Sequence, residues 1–236
     1  MNSKVKLLLI SNTYAYGGGF LSHAKDEIKS FLSGIDSLLF IPYALKDRDE
    51  YEDIARAYFK NLGISLNSIH KFEYPKKAVS EAKSIYIGGG NTFRLLKELY
   101  DLDILDDLKS AILKGVPYMG SSAGIHMVTP TMRTTNDMSI VEPPSLDAMG
   151  ILNFQINPHF IDADPKSKYM VETREKRLEQ YHEDNDYLVL GLREGAWVRI
   201  ENSKIKLGGK HGAKVFQKGK QPKEYKADSY IKLPVE

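Results

Sequence analysis

Gly120-Ser121-Ser122-Ala123-Gly124 is the segment of this chain best suited to chemistry. It follows the apolar run Val116-Pro117-Tyr118-Met119 and precedes a stretch able to start a helix. A Gly-x-Ser-x-Gly between strand and helix makes a turn so tight that the serine needs small neighbours. Its hydroxyl is pushed out above the sheet edge. Ser122 is therefore a candidate nucleophile, and the N–H of Ala123 a candidate donor to a tetrahedral oxyanion. A serine needs a base, and histidine is the usual one. Of the six histidines, His159 has the most rigid setting, Asn157-Pro158-His159-Phe160, after the hydrophobic residues 151–156. His126 lies one helical turn past Ser122 and is expected to point away from the hydroxyl. His23, His70, His182 and His211 fall in polar segments and read as surface residues. An orienting carboxylate could come from Asp137, on a polar turn, or from Glu194, in Leu192-Arg193-Glu194-Gly195. Spacing leaves both open, one for the imidazole and one for a substrate amine.

Two glycine runs need a reading. Gly88-Gly89-Gly90-Asn91-Thr92 could cradle a phosphate at a helix N-terminus, offer a second oxyanion donor, or simply turn the chain. The phosphate motifs G-x-G-x-x-G and G-x-x-x-x-G-K-[ST] are both missing from it. Gly17-Gly18-Gly19, after Tyr14-Ala15-Tyr16, reads as a mobile lip over a crevice.

The elements that would position these groups alternate. Residues 5–10, 38–41, 85–87 and 116–119 read as buried strands, apolar without period-2 alternation. Residues 51–62, 93–100 and 104–113 have helical spacing. Alternating strands and helices imply a parallel sheet covered on both faces. Ligands of such sheets bind beyond the carboxyl ends of the strands, where Ser11-Asn12-Thr13, the glycine triplet, Ser122 and Glu194 would meet. Residues 169–182 read as a charged helix and 187–192 as another strand. Short strands at 196–200, 204–207 and 215–216 read as antiparallel and peripheral. The expectation is one α/β domain over residues 1–236.

Bulk properties narrow the field. The 33 Lys and Arg against 31 Asp and Glu give a net charge of +2, and they are scattered, so no nucleic-acid partner is expected. The chain has no cysteine, which excludes disulfides, thiolate metal sites and a cysteine nucleophile. The apolar run of residues 7–10 is too short for a signal or a membrane span. The expectation is a cytoplasmic protein, monomer or homodimer, acting on a small substrate.

With these residues in view, the chain resembles the peptidase E-type aspartyl dipeptidases of the S51 serine peptidase family. The resemblance runs from Leu7-Leu8-Leu9-Ile10-Ser11-Asn12 to about Gly209. It is carried by Ile87-Gly88-Gly89-Gly90-Asn91-Thr92-Phe93, residues 120–124, Arg133-Thr134-Thr135-Asn136-Asp137-Met138, Gln155-Ile156-Asn157-Pro158-His159-Phe160, Glu172-Thr173-Arg174-Glu175 and Arg193-Glu194-Gly195. It implies a flavodoxin-like, class I glutamine-amidotransferase-like sheet without the amidotransferase cysteine. It implies cleavage of dipeptides with an N-terminal aspartate, with no metal or cofactor. It picks Gly90 from the triplet as oxyanion donor and favours Glu194 over Asp137 as partner of His159. It makes Arg174 the candidate grip on the aspartate carboxylate, with Asn91 assisting. Two departures stand out. Ser121 replaces the tryptophan expected before the nucleophile, which bears on the wall beside the serine, and the lip at 14–20 is unusual. Two other readings share some of these features: an α/β-hydrolase esterase, whose histidine would lie near the C-terminus, and a flavodoxin-like nucleotide-binding module.

Overall fold

The computed structural model describes residues 2–164, 166 and 172–233. The elements run β1 (Leu7–Ile10), α1 (Lys25–Phe31), β2 (Ser37–Ile41), α2 (Arg48–Lys60), β3 (Ser65–Ser68), α3 (Pro75–Ser80), β4 (Ile85–Ile87), α4 (Thr92–Asp101), α5 (Leu105–Leu113), β5 (Tyr118–Ser121), α6 (Ala123–His126) and β6 (Gln155–Phe160). They continue with α7 (Arg174–Asp184), β7 (Val189–Arg193), β8 (Ala196–Glu201), β9 (Lys204–Gly209), β10 (Ala213–Phe216), β11 (Lys223–Tyr225) and β12 (Ser229–Ile231).

The larger sheet has the order β12-β9-β8-β1-β5-β4-β2-β3. Strands β1, β5, β4, β2 and β3 are parallel. Their side chains alternate between two apolar layers. Leu7, Leu9, Leu39, Ile41, Ile85 and Ile87 face one, with α3, α4 and α5 against them. Leu8, Ile10, Leu38, Phe40, Tyr86 and Met119 face the other, covered by Ile28 and Phe31 of α1 and Tyr51, Ala55 and Phe59 of α2. A strand buried on both faces reads as continuously apolar, which is why these segments lack a period of two.

The C-terminal strands are antiparallel, as expected, but not peripheral. β8 pairs directly with β1, Leu7 opposite Ile200 and Ile10 opposite Trp197. Ala196, Trp197, Val198 and Ile200 are all buried, and that apolar content draws β8 into the sheet. β6 and β7 leave the main sheet and pair in parallel within a second one, β11-β10-β7-β6. Its inner residues Ile156, Leu190 and Leu192 join the larger core cluster, while Phe160, Val189 and Phe216 meet Leu178 of α7 on the other side. The charged helix expected from residue 169 begins at Arg174; residues 169–171 lie outside the described residues. Thr173 caps it, its Oγ1 accepting from the Lys176 amide at 3.1 Å. The elements α1, β3, α3, β11 and β12 escaped the pattern reading. No helix among the described residues is long and apolar enough to cross a membrane.

Candidate active site

β5 runs into α6 through Ser122, which sits at φ 50° and ψ −112°. That is glycine territory, and a side chain there costs on the order of 1–3 kcal/mol unless its surroundings impose it. The flanking glycines show what does. A methyl at Gly120 would stand 2.7 Å from the Gly124 carbonyl oxygen, and one at Gly124 would stand 2.2 Å from that of Ile87. The elbow is pressed onto β4, and only hydrogen atoms fit between. The Ser122 amide donates to Ile10 O at 3.0 Å, tying the turn to β1 as well.

The Ser122 hydroxyl lies 2.9 Å from His159 Nε2, and His159 Nδ1 lies 2.8 Å from Glu194 Oε1. The structure thus brings Ser122, His159 and Glu194 into one hydrogen-bonded chain. The His159 side chain is 32% exposed and that of Glu194 53%, so the imidazole–carboxylate contact faces solvent. His159 is itself at φ 53°, near the end of β6 rather than beyond it. Asn136 Nδ2 donates to the Pro158 carbonyl at 2.7 Å and steadies the approach. Arg193, next to Glu194, grips Asp162 and Glu224 with two nitrogens each. Those contacts hold the Asp162 carboxyl down to about 2 and raise the Arg193 guanidinium further.

Asp137 does not reach the imidazole. Its Oδ2 accepts from the Thr92 amide at 2.7 Å and the Thr92 hydroxyl at 2.5 Å, satisfying the free first turn of α4. Asn91 is the N-cap of the same helix. Its Oδ1 accepts from the Arg94 amide at 3.0 Å and its Nδ2 donates to Met138 O at 2.9 Å. Arg174, half-buried on the first turn of α7, has no hydrogen-bond or ion-pair partner among the described residues. Burial, with Arg177 nearby, pulls its guanidinium below the usual range. His126 is fully buried in α6, and its imidazole makes no hydrogen bond to Ser122. Neither ring nitrogen has a partner among the described residues, and burial takes its imidazole down to about 4.

The glycine triplet is filled by protein. A methyl at Gly88 would meet the Tyr51 hydroxyl, one at Gly89 Thr13 Oγ1 and Ser122 Cβ, one at Gly90 the Ala44 carbonyl. The Gly88 amide donates to Ile41 O and the Gly89 amide faces the Tyr51 hydroxyl. Gly90 N–H alone of the three has no partner among the described residues. Ala123 N–H, at the free start of α6, has none either. Ser121 is not a wall of the site. Its hydroxyl is buried and hydrogen-bonds Thr13 Oγ1 at 3.0 Å and the Tyr86 hydroxyl at 2.9 Å. The lip is a small hairpin, Tyr14 bridging Phe20. Phe20 is buried among Tyr51, Tyr58 and Tyr86, and Tyr16 stands fully exposed.

One group among the described residues has metal-ligand atoms close together: Asp49, Glu52 and His70. His70 Nε2 lies 2.9 Å from Asp49 and 3.6 Å from Glu52. Lys71 already pairs with Asp49 and Arg56 with Glu52, so both carboxylates carry their counter-charge. The strand end Ser11-Asn12 lies at the site as expected, but its partners, the His159 amide for Ser11 and the Gly195 amide for Asn12, were not legible in the sequence.

The model of peptidase family S51 matches residues 7–208. A peptidase E of Streptomyces coelicolor is 46% identical over 93% of this chain and 90% of its own. A probable alpha-aspartyl dipeptidase of Drosophila melanogaster is 39% identical over 92% of each. Among solved structures, a peptidase from an acI-B1 Actinobacterium superposes with TM-score 0.71 over 97% of both chains at 19% identity. A putative peptidase E of Listeria monocytogenes does so with TM-score 0.67 at 20% identity, covering 87% of this chain and 98% of its own. A serine on a strained elbow, within reach of an imidazole and a carboxylate, thus sits in a chain that belongs to peptidase family S51.

Proposed function

We propose that this protein hydrolyses dipeptides whose first residue is aspartate, through Ser122. As Ser122 Oγ bonds to the scissile carbonyl carbon, its proton passes to His159 Nε2. Glu194 accepts from Nδ1–H, fixes the tautomer and stabilises the imidazolium. The amides of Ala123 and Gly90, both without partners among the described residues, receive the developing oxyanion. His159 then protonates the leaving amine, and water attacks the acyl-enzyme by the same route. The carrying observation is the 2.9 Å and 2.8 Å chain from Ser122 to Glu194.

Arg174 takes the aspartate side chain, because a half-buried guanidinium without a partner among the described residues is matched by a carboxylate. Asn91 lends its hydrogen-bonding capacity to that carboxylate. Asp137 Oδ1, which accepts nothing among the described residues, takes the substrate's ammonium. The protein acts as one hydrolytic domain over residues 1–236, monomer or homodimer, on small peptides in the cytoplasm. The relatives named peptidase E and alpha-aspartyl dipeptidase favour this reading. The test is kcat/KM on Asp-, Asn-, Glu- and Ala-Xaa dipeptides. Cleavage of Asp-Xaa alone, lost in Ser122→Ala, supports it; equal rates on all four substrates overturn the aspartate assignment.

A further inference from the structure

β1 contributes to this site without touching the reacting atoms. Ser11 follows its last residue and is wholly buried. Its hydroxyl accepts from the His159 amide at 2.9 Å and donates to the Leu192 carbonyl at 2.9 Å. Those two groups belong to β6 and β7, the strands that carry the imidazole and lead to the carboxylate. β6 and β7 pair regularly through Asn157 and Gly191, then slip before Phe160 meets Arg193. His159 and Leu192 lie inside the slip, where no register pair joins β6 to β7; on its other side Leu192 pairs with Ala213 of β10. A buried amide and a buried carbonyl both need partners, and a hydroxyl is donor and acceptor at once. Ser11, from the other sheet, fills both needs with one atom.

Asn12 repeats the arrangement on the acid. Its Oδ1 accepts from the Gly195 amide at 2.7 Å, one residue past Glu194, and its Nδ2 donates to Tyr14 O at 2.7 Å. Two consecutive side chains at one strand end therefore hold the backbone beside the imidazole and the backbone beside the carboxylate. His159 sits at φ 53°, a conformation that persists only where neighbours over-determine it. Rotation about that bond would carry the imidazole away from both Ser122 and Glu194.

We propose that Ser11 is a positioning residue for His159, the Ser11 hydroxyl bridging β6 and β7 where their register slips and Asn12 acting likewise on Glu194. The inference rests on reading Ser122 and His159 as nucleophile and base, and is independent of the aspartate preference. A base displaced by about 1 Å costs on the order of 10²-fold in rate.

The experiment compares Ser11→Ala with Ser11→Thr, which keeps the hydroxyl. Ser11→Cys, of nearly the same shape but a poor hydrogen-bonding group, carries the same expectation as Ser11→Ala should that variant not fold. Two readouts are taken: steady-state kinetics on an Asp-Xaa dipeptide, and covalent labelling of Ser122 by phenylmethanesulfonyl fluoride followed by intact mass. In labelling, Ser122 Oγ displaces fluoride, so no peptide is involved. Ser11→Ala should lower kcat by about 10- to 100-fold with KM within about twofold, slow labelling similarly, and recover in Ser11→Thr. In a His159→Ala background, Ser11→Ala should change the residual labelling rate less than about twofold, because the effect passes through the imidazole. Wild-type rates in folded Ser11→Ala, or an undiminished further loss on top of His159→Ala, overturn the proposal. If the wild-type protein leaves Asp-Xaa uncut, the proposed substrate fails while labelling still decides the role of Ser11.

Discussion

Gly124 faces the carbonyl of Ile87 so closely that a methyl group on it would stand 2.2 Å from the oxygen. The turn at Ser122 and the glycine-triplet strand are therefore locked at one distance, and the two proposed oxyanion amides with them. Backbone cannot swing aside as a flexible side chain can. Gly124→Ala should lower kcat by at least about 10²-fold, the scale of a lost oxyanion donor. It should also lower stability by roughly 1–3 kcal/mol, as overpacking does. Kinetics with denaturant unfolding check both; wild-type values in both refute the locked geometry.

The φ of 50° at Ser122 sets function against stability. Ser122→Gly should abolish turnover and raise stability by about 1 kcal/mol, because glycine accepts this conformation without strain. Ser122→Ala keeps the strain and should lower kcat by roughly 10⁴-fold with little change in unfolding free energy. Denaturant midpoints for the two variants make the comparison; an order reversed in stability counts against a strained elbow.

Glu194 and His159 should differ in rank. The carboxylate is 53% exposed, and water screens its attraction for an imidazolium. Glu194→Gln should lower kcat by about 10²-fold, His159→Ala by roughly 10⁴-fold, and Asp137→Asn should act mainly on KM. A loss in Asp137→Asn equal to that in His159→Ala would reverse the assignment of the two acids.

His126 makes the fold acid-sensitive. Its imidazole titrates at about 4 in the folded protein against about 6.5 in the unfolded chain. The unfolded state therefore binds the extra proton between those values, and stability falls as pH drops from about 6.5 towards 4. From pH 7 to pH 5 this one group should remove about 2 kcal/mol. His126→Leu should flatten that acid limb by the same amount, read from urea unfolding at the two pH values. An unchanged limb refutes a buried neutral imidazole.

Arg174→Met should lower kcat/KM for Asp-Xaa by about 10²-fold and leave any slow Ala-Xaa cleavage within about threefold, since a hydrogen-bonded charge is worth about 1.5–3 kcal/mol. Parallel losses on both substrates would make Arg174 a structural residue.

The parts of this architecture that were legible in the sequence are the locally determined ones. Residues 85–87 form β4 with the bounds expected, because three apolar residues run into three glycines. The elbow was legible for the same reason: its glycines answer steric demands within a few residues. α3 escaped because it buries only Ala78 and Val79 among lysines, and β3 because it alternates serine and asparagine with a single leucine. The separation of β6 and β7 into their own sheet is decided by strand pairing, which no periodicity encodes. Ser11 was invisible as a partner of His159 because 148 residues lie between them. Ser121 misled because a residue beside a nucleophile was taken to line its cleft, whereas alternation along β5 turns it into the core under Tyr86.

The pairing of β1 with β8 has a consequence for the order in which the molecule comes into being. β1 precedes the other described strands in the chain, yet its antiparallel neighbour β8 is the eighth of twelve. Until then its flank is an open edge, and closing it requires ordering nearly the whole chain, a slow and non-local step. The same late segment brings Glu194 and the Gly195 amide, 183 residues beyond Asn12. A nascent chain thus carries Ser11, Asn12 and Ser122 before the segment that supplies Glu194 exists, and the hydrogen-bonded chain of the site waits for that segment.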